Sequence, residues 1–325
     1  MDKKLKMACI GIDIGGTNLR MALLDNRGAI IHRTKCSTDI HHGREAFFSL
    51  LRKGIESLLL VAKDKCYETV GLGVGVPGLV ANDGCMLVSV NLPPLDGINL
   101  RDELQAMTGL PTVVANDVNA FAFGESVYGA GRDYRSFLMV TLGTGVGGGL
   151  ILDRTVWTGI DGVAGEFGHV TVEPNGRLCR CGNYGCLEQY ASANALVAAA
   201  REIMAREKDA FGEALRDKDI STQKLAEAAL DGNSAALALF AEAGRYLGIA
   251  VASVVNLLNL EAVIIGGGVA ASFDLLSESL KREIHARAFP IPAGRLRIER
   301  AALGDDGGII GSGALVMDHL FRGNP

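Results

Sequence analysis

The chain has 325 residues and a mass of 34.2 kDa, too long for one small core and suited to one large or two medium domains. A formal net charge of −5, with 21% charged residues, leaves no basic footprint for nucleic acid. A bound anion must therefore be met by local backbone donors or by a metal. The 42 glycines exceed the usual share of about 7%, and they cluster, as glycines do where backbone comes close to something.

Residues 1–6 are basic, but Asp13 follows after only a few apolar residues, so no signal-peptide core is expected. With an odd count of seven cysteines, this points to the reducing cytoplasm. The apolar patterns predict strands within 7–33, a helix near 43–62, a strand at 70–76, a helix at 100–108, a strand at 112–115 and a helix at 118–128. The second half predicts strands over 137–172, a cysteine-rich turn at 179–188 and three helices, the last near 234–259. Strand 261–266, helix 273–288, strand 296–300 and helix 307–321 complete the series, the last helix expected to pack back on the first domain. The most apolar long stretch, 246–265, is interrupted by Asn256, Asn259 and Glu261 and reads as a buried helix and strand rather than a membrane span.

Two segments repeat one pattern. Ile12-Asp13-Ile14-Gly15-Gly16-Thr17-Asn18 runs on to Leu24-Asp25, and Val140-Thr141-Leu142-Gly143-Thr144-Gly145-Val146 runs on to Leu152-Asp153. They match at a constant offset of 128, with Thr141 against Asp13, Gly143 against Gly15 and Asp153 against Asp25. Each reads as a hairpin with a Gly/Thr tip. The duplication suggests two topologically similar domains facing one another across a cleft. Such tips are either ordinary tight turns or nests of N–H groups for phosphate oxygens, with Thr17 and Thr144 adding hydroxyl donors, and the matched pair favours the second. Neither is a P-loop or a dinucleotide fingerprint, because Gly147-Gly148-Gly149 leads into strand. A third run, Gly266-Gly267-Gly268, lies at a strand-to-helix junction that can expose amides to a nucleotide.

Asn116-Asp117 falls at a strand end just before a helix, the edge where α/β proteins place ligands. Asp117 either caps that helix or serves as a general base, with Asn116 holding a hydroxylated substrate. Cys179, Cys181 and Cys186 put three thiols within eight residues, and His169 lies ten positions before the first. Three sulfurs and an imidazole suit a closed structural zinc site, the alternative being redox-active or unpaired thiols. Cys9, Cys36, Cys66 and Cys85 are scattered singly, as core thiols are. Glu166, His169 and Glu188 bracket the turn and form either a polar lining for a sugar or a set of solvated surface groups.

The DIGGTN opening, the strand-end ND, the AGEFGH segment and the CxCGxxGCxE run, in this order over essentially the whole chain, resemble the ROK family of sugar kinases within the actin-like ATPase and hexokinase clan. The resemblance implies an α/β fold of two similar actin-like (ribonuclease H-like) domains, each with a central mixed sheet, around a cleft. Residues 1–116 with 304–325 would form the smaller domain, and 117–303 the larger, carrying the zinc turn. It implies Asp117 as catalytic base and a sugar held by Gly78, Asn91, Asn116, Asp117, Glu166, His169 and Glu188. It implies zinc on His169, Cys179, Cys181 and Cys186. The phosphate loops would be Gly11, Ile12, Asp13, Ile14, Gly15, Gly16, Thr17 and Asn18, and Leu142, Gly143, Thr144, Gly145, Val146, Gly147, Gly148 and Gly149. The adenosine turn would be Gly266, Gly267 and Gly268.

The expected activity is transfer of the γ-phosphoryl group of ATP, with Mg²⁺ reached by Asp13 through water, to a hexose hydroxyl. Glucose is the first expectation, ahead of N-acetylmannosamine or N-acetylglucosamine, then fructose, mannose or allose. A non-catalytic sugar sensor is the alternative from another class, and Asp117 argues against it. Family repressors carry an added N-terminal DNA-binding domain and often lose the catalytic Asp; DIGGTN beginning at residue 13 leaves no room for a helix-turn-helix and Asp117 is kept, so a repressor is not expected. The partners are a hexose and ATP, without nucleic acid or membrane. A homodimer, common in the family, would use helix 234–259, whose Gly244 and Gly248 permit close packing.

Overall fold

The computed structural model describes residues 5–89, 91–207, 210–211 and 220–322. Strands β1 (Lys6–Ile14) and β2 (Asn18–Asp25) pair antiparallel with Asp13 opposite Arg20 and Ile14 opposite Leu19, which puts the tip on 15–17 as expected. β3 (Ile30–Ser37) extends the sheet on the β2 side. After α1 (Arg44–Asp64), β4 (Tyr67–Val76) pairs parallel with β1. A small ribbon of β5 (Leu79–Val80) and β6 (Met86–Val88) and helix α2 (Leu100–Thr108) lead to β7 (Thr112–Asn116), parallel to β4. Helix α3 (Asp117–Tyr128) follows directly. The sheet order is β3-β2-β1-β4-β7.

The chain divides into two compact units, Met1–Arg135 with Gly149–Gly165 and Ala301–Pro325, and Ser136–Gly148 with Glu166–Arg300. In the first unit, α1 buries Phe47, Leu51, Ile55, Leu58 and Ala62, a single stripe at helical spacing, against Ile10, Ile12, Ile14 and Leu72 of the sheet. Each such apolar side chain contributes about 1.5–3 kcal/mol on burial. The opposite face of β1 carries Cys9, Gly11 and Asp13 and receives α10 (Gly307–Arg322) through Ile309 and Val316. The last helix thus packs on the first unit, as expected. α3 belongs there too, because Gly124 and Gly311 let α3 and α10 touch backbone to backbone. The expected boundary after residue 116 is therefore displaced. Glu125 of α3, fully buried, accepts N–H bonds from Ala130, Ala302 and Leu303 and ties down the approach to α10.

The second sheet has β8 (Phe137–Leu142), β9 (Val146–Leu152), β10 (Thr155–Val156), β11 (Ala262–Gly266) and β12 (Arg297–Arg300) in the order β10-β9-β8-β11-β12. That is the order of the first sheet again, with β8 and β9 standing for β1 and β2. Strands expected as far as residue 172 stop at Val156. Residues 157–187 form loops and a short turn at Phe167–His169, because only isolated bridges such as Thr171 to Cys186 pair them.

Helices α4 (Glu188–Ala191), α5 (Ala193–Arg206), α6 (Thr222–Leu230) and α7 (Ser234–Leu258) precede β11, and α8 (Phe273–Arg287) and α9 (Pro290–Arg295) precede β12. α7 starts on the Asn233 side chain, which accepts from Ala236 N, and ends at Asn259 in a left-handed conformation (φ 53°). It is long and apolar enough to cross a membrane, with a mean hydropathy of 1.4, but 61% of that window is buried in the protein and it behaves as a core helix. Gly244 and Gly248 lie under Leu276, Ser279 and Leu280 of α8 in the same chain. The close packing they permit is therefore internal, not the contact with a second copy for which they were singled out.

Candidate functional site

In the first unit the carboxyl ends of parallel strands β1, β4 and β7 collect the chemistry, with Asp13 in register with Gly75 and Gly75 with Ala115. Asn116, not Asp117, is the cap of α3: its Oδ1 accepts from Val118 N at 2.9 Å and Asn119 N at 3.2 Å. Its Nδ2 donates to Gly78 O at 3.1 Å, which joins two expected sugar residues. Asp117 then occupies the first position of the helix, with Oδ1 accepting from Val118 N at 2.9 Å. A carboxylate there sits at the positive end of the helix. Gly78 is required by φ +122° and by Val88 O, 2.4 Å from where a Cβ would lie. Asn91 stands beside the first tip, its Cβ 3.3 Å from the Cβ position of Gly16.

At that tip, Gly15 N donates to Asn18 O at 2.8 Å, while buried Thr38 donates its N–H to Thr17 O at 3.0 Å and its hydroxyl to Gly15 O at 2.6 Å. Gly16, Thr17 and Asn18 are exposed. Behind them Asp13 is buried and pairs with Arg20, whose Nη1 also donates to Asp305 O at 2.7 Å. Burial pushes the Asp13 carboxyl above its usual range, and Arg20 opposes the rise. Gly11, Ile12 and Ile14, expected in the phosphate loop, are instead interior strand residues: a Cβ on Gly11 would lie 2.2 Å from Ile309 O. That glycine serves the approach of α10.

In the second unit, Thr144 is exposed, and Gly143, Gly145 and Gly147 are partly so, whereas Leu142, Val146 and Gly148 are buried. Gly149, counted with the loop from sequence, belongs to the first unit and packs on Ala122 and Val118 of α3. Gly266 is buried in β11, Gly267 (φ +89°) lies against Leu142 O, and Gly268 opens to solvent. Gly267 and Gly268 are both exposed, and a Cβ on Gly268 would meet nothing within 4 Å.

The turn after Glu166 brings His169, Cys179, Cys181 and Cys186 together, with their ligand atoms within 4.8 Å of one another. Cys179 Sγ lies 3.6 Å from His169 Nδ1, and Cys181 Sγ lies 3.6 Å from Cys186 Sγ. Tetrahedral zinc with bonds of about 2.3 Å separates its sulfurs by about 3.8 Å, so the set fits such an ion. Burial and the neighbouring sulfurs push the Cys186 thiol up to about 12, whereas the Asn183 backbone N–H, ahead of the neighbouring sulfurs, holds the Cys181 thiol below its usual range. Gln189 Nε2 and Asn183 Nδ2 each lie 3.6 Å from a sulfur, of Cys179 and Cys186 respectively. With Nδ1 toward the sulfurs, His169 presents Nε2 to Glu166, 3.8 Å from Oε2. Burial raises the Glu166 carboxyl, His169 opposing and Glu188 adding to the rise. Glu188 accepts from Val146 N at 3.0 Å, so the expected sugar residue also touches the second tip.

The sequence reading missed Arg20, Thr38, Asn183 and Gln189. Arg20 was recoverable, since a hairpin tip at 15–17 sets it opposite Asp13. Nothing in the pattern marks the other three.

The pattern described as "ROK family" matches residues 9–319. The chain belongs to the ROK family. A glucokinase of Halalkalibacterium halodurans is 36% identical over 322 residues, 97% of each chain. The crystal structure of a ROK family glucokinase from Streptomyces griseus with glucose and AMPPNP superposes with a TM-score of 0.78 at 31% identity, covering 95% of this chain and 98% of that one. A xylose repressor of Caldicellulosiruptor bescii is 30% identical, over 96% of this chain and 78% of its own length. The two-unit α/β architecture is that of the ROK kinases, in keeping with the actin-like class expected.

Proposed function

We propose that this ROK protein is an ATP-dependent hexose kinase, with glucose its first substrate and glucose 6-phosphate the product. One observation carries the reading: Asn116 caps α3, and Asp117 follows it at the strand-end edge, at the positive end of that helix. Asp117 accepts the proton of the sugar hydroxyl as its oxygen attacks the γ-phosphorus in line. Asn116 orients that hydroxyl, and Glu166, His169 Nε2 and Glu188 take the neighbouring ones. Thr17, Thr144 and the exposed amides of the two tips steady the transferring group. Mg²⁺, when bound with ATP, offsets phosphate charge that this acidic protein does not. His169, Cys179, Cys181 and Cys186 would hold a structural zinc ion that pins the turn.

The relatives support glucose, and the likeness to a xylose repressor keeps the sensor alternative in view. The test is ADP release with ATP and Mg²⁺ across glucose, mannose, allose, fructose, N-acetylglucosamine and N-acetylmannosamine. Glucose should respond most strongly. Tight sugar binding without ADP release from any of them would replace the kinase by a sensor. A homodimer is part of the proposal, and light scattering at the monomer mass would remove it.

A further inference from the structure

We infer that Glu188 is a positioning residue for the nucleotide as well as a sugar ligand, holding the second glycine tip with one carboxylate oxygen and leaving the other for the sugar. The inference rests on the kinase reading and deepens it. Val146 N donates to Glu188 Oε2 at 3.0 Å. A Cβ on Gly145 would fall 2.3 Å from the same oxygen but 4.0 Å from Oε1, so the tip is built around Oε2 alone. The other backbone groups of the tip are tied to the same region of chain. Gly143 O accepts from Ala193 N at 2.8 Å, and Val146 O lies 2.0 Å from the Cβ position of Gly168. Gly143 N donates to Gly145 O at 2.9 Å within the tip, and the bonds that leave it, to Ala193 N and Glu188 Oε2, both reach the segment that follows the cysteine turn.

The charge of Glu188 gives the link a direction. A carboxylate against a tip that receives phosphate repels the phosphate unless its charge is taken up elsewhere. Val146 N–H takes up part of it. Sugar hydroxyls donating to Oε1 take up more, so bound sugar should tighten nucleotide binding, and by linkage nucleotide tightens sugar by the same factor. Gln at this position still offers an oxygen to Val146 but carries no charge.

The experiment is calorimetric titration of the zinc-loaded protein with Mg²⁺–AMPPNP, with and without saturating glucose, and with glucose alone. Wild type should bind AMPPNP at least about fivefold more tightly with glucose present. Glu188→Gln should lose most of that dependence and bind AMPPNP without glucose about as tightly as wild type does with it, and Glu188→Ala, which also strips Val146 N of its acceptor, should bind about tenfold more weakly than Glu188→Gln without glucose. The reciprocal variant is Gly145→Ala. Gly145 does not adopt positive φ, and the added methyl meets only the end of the Glu188 side chain, so the fold tolerates it while the carboxylate is displaced. It should weaken binding of glucose alone about fivefold, although Gly145 lies in the nucleotide tip. Its result stands even where Glu188→Ala loosens the cysteine turn. Wild-type glucose affinity in Gly145→Ala, or glucose-independent AMPPNP binding by wild type, overturns the inference while ADP release leaves the kinase standing. Absence of AMPPNP binding by wild type overturns both.

Discussion

The two glycine tips occupy equivalent places in sheets of the same strand order, yet they are supported in opposite ways. The first tip carries its own acid: Asp13, one residue before the end of β1, is matched by Arg20 across the hairpin. At the equivalent places the second has Thr141 and Gly148, neither charged, and its carboxylate is Glu188, borrowed from beyond the cysteine turn. The first tip is braced by Thr38 of its own sheet region, the second by Ala193 and Gly168. Duplication supplied the geometry twice. The charge was then placed once within the repeat and once outside it, which makes the second tip dependent on a segment with little regular structure.

The strongest way to test the asymmetry is at the edge of the first unit. Asp117→Ala should lower kcat about 10²–10⁴-fold with an unchanged melting temperature, because Asn116 keeps α3 capped. An equal loss of stability would show Asp117 to be structural. Next comes the metal. Chelation, or Cys181→Ala, should weaken sugar binding at least about tenfold and speed amide exchange at 143–146 while leaving 15–18 unchanged. Equal exchange at both tips would erase the distinction drawn between them.

How much of this was legible in sequence depends on what each residue does. The repeat, the mixed sheets and the gathering of His169, Cys179, Cys181 and Cys186 were readable because they depend on spacing, and spacing survives folding. The glycines were over-read. Gly11 and Gly149 belong to motif runs, but the absent Cβ serves helix packing, and a sequence does not say which neighbour fills the space. Gly244 and Gly248 failed likewise, since a close helix partner within the chain and one outside it require the same residue. The strands expected to residue 172 failed because Thr171 pairs with Cys186 only as an isolated bridge, so exposed Val170 and buried Val172 flank the cysteine turn without a ladder to join. Thr38 left no signal because its partners are backbone atoms of a distant tip.

A smaller effect should follow from Arg20→Ala, which leaves Asp13 buried without its cation, at a cost of roughly 1–3 kcal/mol at neutral pH. Asp13 already has a raised folded-state pKa, and removal of Arg20 raises it further. A carboxyl shifted upward on folding adds stability below its unfolded value and loses it as pH rises through the folded one. The unfolded Asp13 is the same in both proteins, so the deficit of Arg20→Ala against wild type should shrink as pH falls from neutral through the raised folded-state values and be smallest below them. Urea unfolding at neutral pH and near pH 3 reads it directly. A constant deficit would mean that Arg20 acts through its bond to Asp305 O instead.

The smallest effect separates bracing from charge. Thr38→Val keeps the shape of a fully buried side chain and its backbone N–H bond to Thr17 O, but removes the hydroxyl that donates to Gly15 O. Losing one such bond costs about 1 kcal/mol, more if the carbonyl stays dry. Because Gly15 is a partly exposed tip residue, water should replace the hydroxyl, and the cost should stay near that figure. Nucleotide affinity should then change by no more than about twofold, since the first tip keeps both its Gly15–Asn18 bond and its Asp13–Arg20 pair. A tenfold loss would show that the first tip, like the second, depends on support from outside the hairpin, and the contrast between them would be one of degree.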